Sequence, residues 1–197
     1  MKVKIMSEYQ YYEFYSLNKP LSQACKAEMQ AISSNAKFGT HNVQYTYNSG
    51  NFSGDDEALL AEHFDVMFYM SKFGDFQLMF RYDPEDLNIE ELEDFWMDDI
   101  VEFSMAGSSI LVNIELNDDN RKYNWLVGEK VLADLLPLYD ELKAGEFQIL
   151  QLVHLITAIY AGLDDGHIST LVDELLKPLT RAQKALLKHL DISLSDY

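Results

Sequence analysis

Phe64-Asp65-Val66-Met67-Phe68-Tyr69-Met70-Ser71 and Phe76-Gln77-Leu78-Met79-Phe80-Arg81-Tyr82, joined by Lys72-Phe73-Gly74-Asp75, set the fold. Two short apolar runs around a glycine-bearing turn read as a β-hairpin. Both faces of each run are apolar, which marks central strands covered on two sides.

Upstream, Gln10-Tyr11-Tyr12-Glu13-Phe14-Tyr15 is aromatic and reads as a first strand. Ser22 caps a helix that carries Ala24, Ala27, Met29 and Ile32 and ends near Ser33. His41 to Tyr47 alternates Val43, Tyr45 and Tyr47 with polar residues, the pattern of a half-buried strand. The loop Asn48–Gly54 follows, and Asp55 caps a short helix through His63.

Downstream, Asp83-Pro84 predicts a helix start, with Ile89, Leu92 and Trp96 on the inner face of a short acidic helix. Residues 100–105 and 109–116 form a second hairpin about Ala106-Gly107-Ser108. From Trp125 onward the pattern is helical, broken near Leu136 by Pro137. Phe147 to Leu163 is a charge-free run of 17 residues. At about 25 Å it falls short of a bilayer, so it reads as a core helix buried on all sides, with His154 a core histidine. Thr180-Arg181-Ala182-Gln183 is a capping box for the last helix.

The fold class is therefore α+β. A mixed, largely antiparallel sheet with short helices occupies an acidic region, 1–120. A helical region, 121–197, packs on it as one compact unit.

Charge narrows the function. The chain of 197 residues carries a net charge of −18, and between Arg81 and Arg121 there are 13 carboxylates and no basic residue. Such a surface repels polyanions, so nucleic acid and anionic membranes are not expected partners. Met1 to Glu8 has no apolar signal-peptide core, and a cytoplasmic location is expected. Cys25 is the single cysteine, which rules out a disulfide framework and a cysteine-based zinc site.

No catalytic motif stands out. The histidines form no H-x-x-x-H spacing, and the 48–54 loop matches no phosphate-binding pattern. Asp164-Asp165-Gly166-His167 fails the register of a calcium loop and reads as a helix start. Asp98, Asp99 and Glu102 offer oxygen ligands, but such runs are ordinary on acidic surfaces; no metal and no cofactor are expected.

The leading reading is a non-enzymatic module that uses an acidic surface to bind a basic protein partner. Its candidate residues are Asp86, Glu90, Glu93, Asp94, Asp98 and Asp99. The alternative is an enzyme of unknown class with a site near the 48–55 loop, built from Arg81, His41 and His63, because an arginine at a strand end can clamp a carboxylate or phosphate.

Tyr11-Tyr12-Glu13-Phe14 with Lys19-Pro20-Leu21, Gly50-Asn51-Phe52-Ser53-Gly54-Asp55, Phe64-Asp65 to Tyr69, Leu78-Met79-Phe80-Arg81 and Leu135-Leu136-Pro137-Leu138 together resemble a family of uncharacterised bacterial hypothetical proteins. That family has no assigned activity, so the resemblance implies no catalytic residue. The family has tryptophans before the loop glycine and before the hairpin glycine. Ser49 and Phe73 stand there in this chain, which puts an invariant site at those turns in doubt.

Overall fold

The computed structural model describes residues 9–118, 128–175 and 177–196. The expected helix start at Trp125 lies outside the described residues. Among the described residues, seven strands form one sheet: β1 (Gln10–Tyr15), β2 (Lys37–Phe38), β3 (Asn42–Tyr47), β4 (Val66–Ser71), β5 (Asp75–Tyr82), β6 (Val101–Ala106) and β7 (Ser109–Asn117). The order is β2-β3-β1-β4-β5-β7-β6, and every neighbouring pair is antiparallel.

The β4–β5 hairpin is central, and pleat alternation sends its residues to two cores. Val66, Phe68 and Met70 of β4, with Phe76, Leu78 and Phe80 of β5, face one layer. Met67 and Met79 face the other. The second layer is α1 (Gln23–Ile32) and α2 (Asp56–His63), which contribute Cys25, Met29, Leu59 and Leu60. Ser22 Oγ and Asp55 Oδ1 accept from the backbone N–H groups of Cys25 and Ala58, so both helices start where the caps predict.

The first layer is the C-terminal helical region: α3 (Val131–Leu135), α4 (Pro137–Lys143), α5 (Gln148–Tyr160), α6 (Asp165–Asp173) and α7 (Arg181–His189). Its leucines and isoleucines share a core with the sheet, so the fold is α+β with the C-terminal helices packed on the sheet. Pro137 stands at the first position of α4 and separates it from α3. Thr180 and Gln183 close the capping box of α7. No described helix is long and apolar enough to cross a membrane.

Two expectations are corrected. Residues 83–100 form no α-helix. They run as two 3₁₀ turns, Ile89–Glu91 and Glu93–Phe95, and then a tight turn in which Met97 and Val101 pair and Asp99 takes a φ of 61°. Like charge disfavours a helix here: Asp86, Glu90 and Asp94 would stack at i, i+4, and the segment itself holds no basic residue to relieve them. Asn88 also competes for the backbone, its Oδ1 accepting from Glu90 N–H. Leu92 is fully buried and Ile89 packs against the core, but Trp96 is 48% exposed and does not share their burial.

The second correction concerns α5. Ile149, Leu150, Leu152, Val153, Leu155, Ile156 and Ala158 are buried, but His154 is exposed. The helix is therefore not covered on all sides. Gln148, Gln151, His154 and Thr157 recur every three residues, a spacing that winds round about half of the helix and leaves it a polar side.

Candidate functional site

The acidic segment leaves the sheet at Tyr82, the last residue of β5, and returns to it at Val101. Leu87 and Leu92 drop into the core shared with the helical layer, worth about 1.5–3 kcal/mol each for full burial. They tether the segment to the same side of the sheet as α4 and α5. The carboxylates between them are left outside: Glu90, Glu93, Asp94, Asp98 and Asp99 are exposed. Asp86 is half-buried, and Lys143 Nζ donates to its Oδ2 at 2.7 Å, which fastens the segment to the end of α4.

Between this segment and the helices runs a seam of three adjoining hollows. The first, about 530 Å³, lies between Leu87 and Phe147 and reaches the exposed Met105 of edge strand β6. The second, about 570 Å³, continues past Gly145 and Phe147 to Phe95 and Lys177. The third, about 240 Å³, shares Phe95 and Gln151 with the second and ends at Trp96 and His154. Phe95 and Phe147 meet at 5.8 Å between ring centroids and form an apolar floor: Phe147 is shared by the first and second hollows, and Phe95 by the second and third.

The rim of this seam is acidic. Glu85, Asp86 and Glu91 border the first hollow, Glu146 the second, and Asp94 and Glu174 the third. Lys143 and Lys177 are the basic side chains in the three linings, and each already holds a carboxylate, Lys143 that of Asp86 and Lys177 that of Glu146 at 3.6 Å. Carboxylates outnumber cations here, six to two. Trp96 Nε1 donates to Asp98 Oδ1 at 2.8 Å, and the indole meets Phe103 edge-on at 6.1 Å. An exposed but fixed indole at the end of an apolar seam is the kind of aromatic anchor that interfaces use.

The alternative site is not assembled. His41, Ser16, Asp65 and Arg81 occupy one row across the sheet, joined by the bonds Ser16 N–H to His41 O and Arg81 N–H to Asp65 O. Three strand spacings, about 14 Å, therefore separate His41 from Arg81. His41 Nδ1 lies 2.9 Å from Ser16 O, and its ring stacks on Tyr15. His63 Nε2 lies 3.0 Å from Glu28 Oε2 of α1, a contact without hydrogen-bond alignment. Arg81 is spent on structure: Nε donates to Phe64 O at 2.7 Å, and Nη2 donates to Asp65. None of the three residues lines the seam or its hollows.

The 48–55 loop is also explained by packing. Phe52 inserts between Tyr12 and Tyr45, 4.9 Å from each ring, and Ser53 Oγ donates to Ile32 O. Burial, with the Glu28 charge behind it, raises the Cys25 thiol above its ordinary range, which leaves it a weak nucleophile. Glu28, Glu62 and His63 are the one described group whose donor atoms come close enough to share a metal ion. His63 Nε2 is the shared point of that group, 3.0 Å from Glu28 Oε2 and 4.0 Å from Glu62 Oε2.

Sequence reasoning missed Trp96, His154, Glu146, Phe147 and Glu174 as groove residues. The three-residue polar spacing of α5 was a signal for His154. Glu174, at the end of α6, carried none, because only the tertiary fold brings it opposite Asp94. Glu13 was missed as well. It is buried in β1 and accepts from Tyr11 Oη at 2.8 Å, Asn42 Nδ2 and Gln44 Nε2. The chain matches no protein-family model, no curated protein and no solved structure, so its functional reading rests on this geometry.

Proposed function

We propose that the protein is a non-enzymatic interaction module that binds a basic segment of a protein partner along the acidic seam. The observation that carries this reading is the rim of carboxylates above an apolar floor, with both lysines of the linings already paired. Acidic rims speed encounter with basic partners and make binding salt-sensitive. Apolar floors and aromatic anchors supply the affinity that charge alone lacks. Glu90 and Glu93 stand exposed outside the linings of the hollows, and with Asp94 at the rim they add to the attracting field.

Affinity capture from host extract at low and high ionic strength tests the reading, repeated with the Glu90→Lys, Glu93→Lys, Asp94→Lys triple variant. The expected result is a partner enriched at low salt, released at high salt and lost with the variant. The three side chains are exposed, so the fold stays intact. Enrichment that ignores both salt and the charge reversal sinks the proposal.

A further inference from the structure

The smallest hollow of the seam differs from the other two. Its walls are Phe95, Met97, Leu150 and Leu171, and Trp96 borders it with its indole fixed by Asp98. Two carboxylates stand at it, Asp94 from the 3₁₀ turn and Glu174 from the end of α6. Neither has a basic partner among the described residues, and no lysine or arginine lines the hollow. The remaining polar groups are the imidazole of His154 and the amide of Gln151.

We infer that this hollow receives a lysine side chain of the partner. The inference rests on the interaction reading above and names what the seam recognises. A volume of about 240 Å³ with apolar walls suits a four-carbon stem. The Trp96 face attracts a cation by its ring quadrupole. The two carboxylates come from separate elements and do not form a planar fork. That arrangement fits an ammonium, whose three donors rotate freely, better than a guanidinium, which favours bidentate pairing on one carboxylate.

The test uses the whole chain and three labelled peptides, all cationic on every side chain at pH 6.5: hexalysine, hexaarginine, and a hexamer of 2,4-diaminobutyric acid, whose ammonium sits on a stem two methylenes shorter than that of lysine. Binding is followed by anisotropy at low salt. Trp96 emission serves as a local reporter in a Trp125→Phe background. The expected result is that hexalysine binds and shifts Trp96 emission, and that the short-stemmed peptide binds about tenfold more weakly. Trp96→Ala and Glu174→Gln should each weaken hexalysine by about tenfold while leaving the short-stemmed peptide unchanged. Both side chains are exposed, so the variants fold, and circular dichroism checks this.

If the long- and short-stemmed peptides bind equally and the variants change nothing, the acidic seam stands and the lysine pocket is overturned. Tighter binding of hexaarginine than hexalysine overturns the choice of an ammonium. If none of the three peptides binds the wild-type chain, the interaction reading falls together with the pocket.

Discussion

Tyr82 and Tyr139 stack with their ring centroids 4.5 Å apart and 18° between planes, and Tyr82 Oη donates to Tyr139 O at 3.0 Å. Tyr82 ends the central strand β5, and Tyr139 sits on α4 just after Pro137. The pair therefore joins the sheet to the helical layer at the point where the acidic segment departs. Lys143, one turn further along α4, then grips Asp86.

Tyr82→Phe removes the hydrogen bond and keeps the stack. Tyr82 is fully buried, so the expected loss is about 1 kcal/mol of stability, read from denaturant midpoints. Tyr139→Ala removes the ring but keeps the main-chain carbonyl that accepts the bond, and should cost about 3 kcal/mol or more. If the two variants are equally stable, the stack contributes no more than the bond.

Arg81 and Asp65 give a second prediction. Asp65 Oδ2 also accepts from Leu17 N–H at 2.8 Å, so this carboxylate binds the chain after β1 to the start of β4 and to β5. Arg81→Met strands a carboxylate whose side chain is only 12% exposed. The expected cost is about 2–3 kcal/mol, at the lower end for a buried pair because the guanidinium is 24% exposed. Adding Asp65→Asn should recover part of it. Additive losses in the double-mutant cycle would show that the pair is not coupled.

Much of this fold was legible because local signals and the global arrangement agree. Val43, Tyr45 and Tyr47 alternate and are buried. Ser22, Asp55 and Thr180 cap the helices they should. The acidic segment misled because Ile89, Leu92 and Trp96 keep helical spacing, and that pattern says nothing about what unrelieved like charge does to a helix. Met105, at the turn end of the edge strand β6, is 56% exposed, although its apolar type alone would place it in the core. The groove itself was illegible. Its two walls are more than fifty residues apart in sequence, and only packing on the sheet sets Trp96 beside His154.

Gln183 supports the third prediction. It is 1% exposed and joins three helices: its Nε2 donates to Glu141 Oε2 of α4 at 2.7 Å, and its Oε1 accepts from Gln148 Nε2 of α5 and from Thr180 N–H. Gln183→Leu keeps roughly the same size but leaves its half-buried partners without their bonds, for an expected loss of about 1–2 kcal/mol. Thr180→Ala removes only the cap and should cost about 1 kcal/mol. Equal thermal midpoints for the two variants would show that Gln183 is a capping residue and no more.

The last prediction follows from the buried tyrosines. Burial, reinforced by the charge of Asp75, pushes the Tyr69 phenol up to about 12. Burial, reinforced by the charge of Asp65, pushes Tyr139 up to about 12. Burial above all raises Tyr12, Tyr45 and Tyr82 further from their ordinary range. A phenol whose pKa is higher folded than unfolded favours the folded state fully below about pH 10, the unfolded value. Above that pH the unfolded chain sheds the proton first, so this contribution is lost progressively as pH rises through the folded pKa. Stability should therefore fall steeply above about pH 10, by up to about 1.4 kcal/mol per pH unit for each such tyrosine. Tyrosinate absorbance should lag behind that of free tyrosine and then rise together with the loss of ellipticity. Tyr45→Phe loses the hydrogen bond to Met29 O at 3.1 Å and is less stable at neutral pH, yet its stability should decline more gently with alkali. Phenols that titrate near pH 10 while the fold persists would show that these rings are open to solvent and that the aromatic core is looser than its packing indicates.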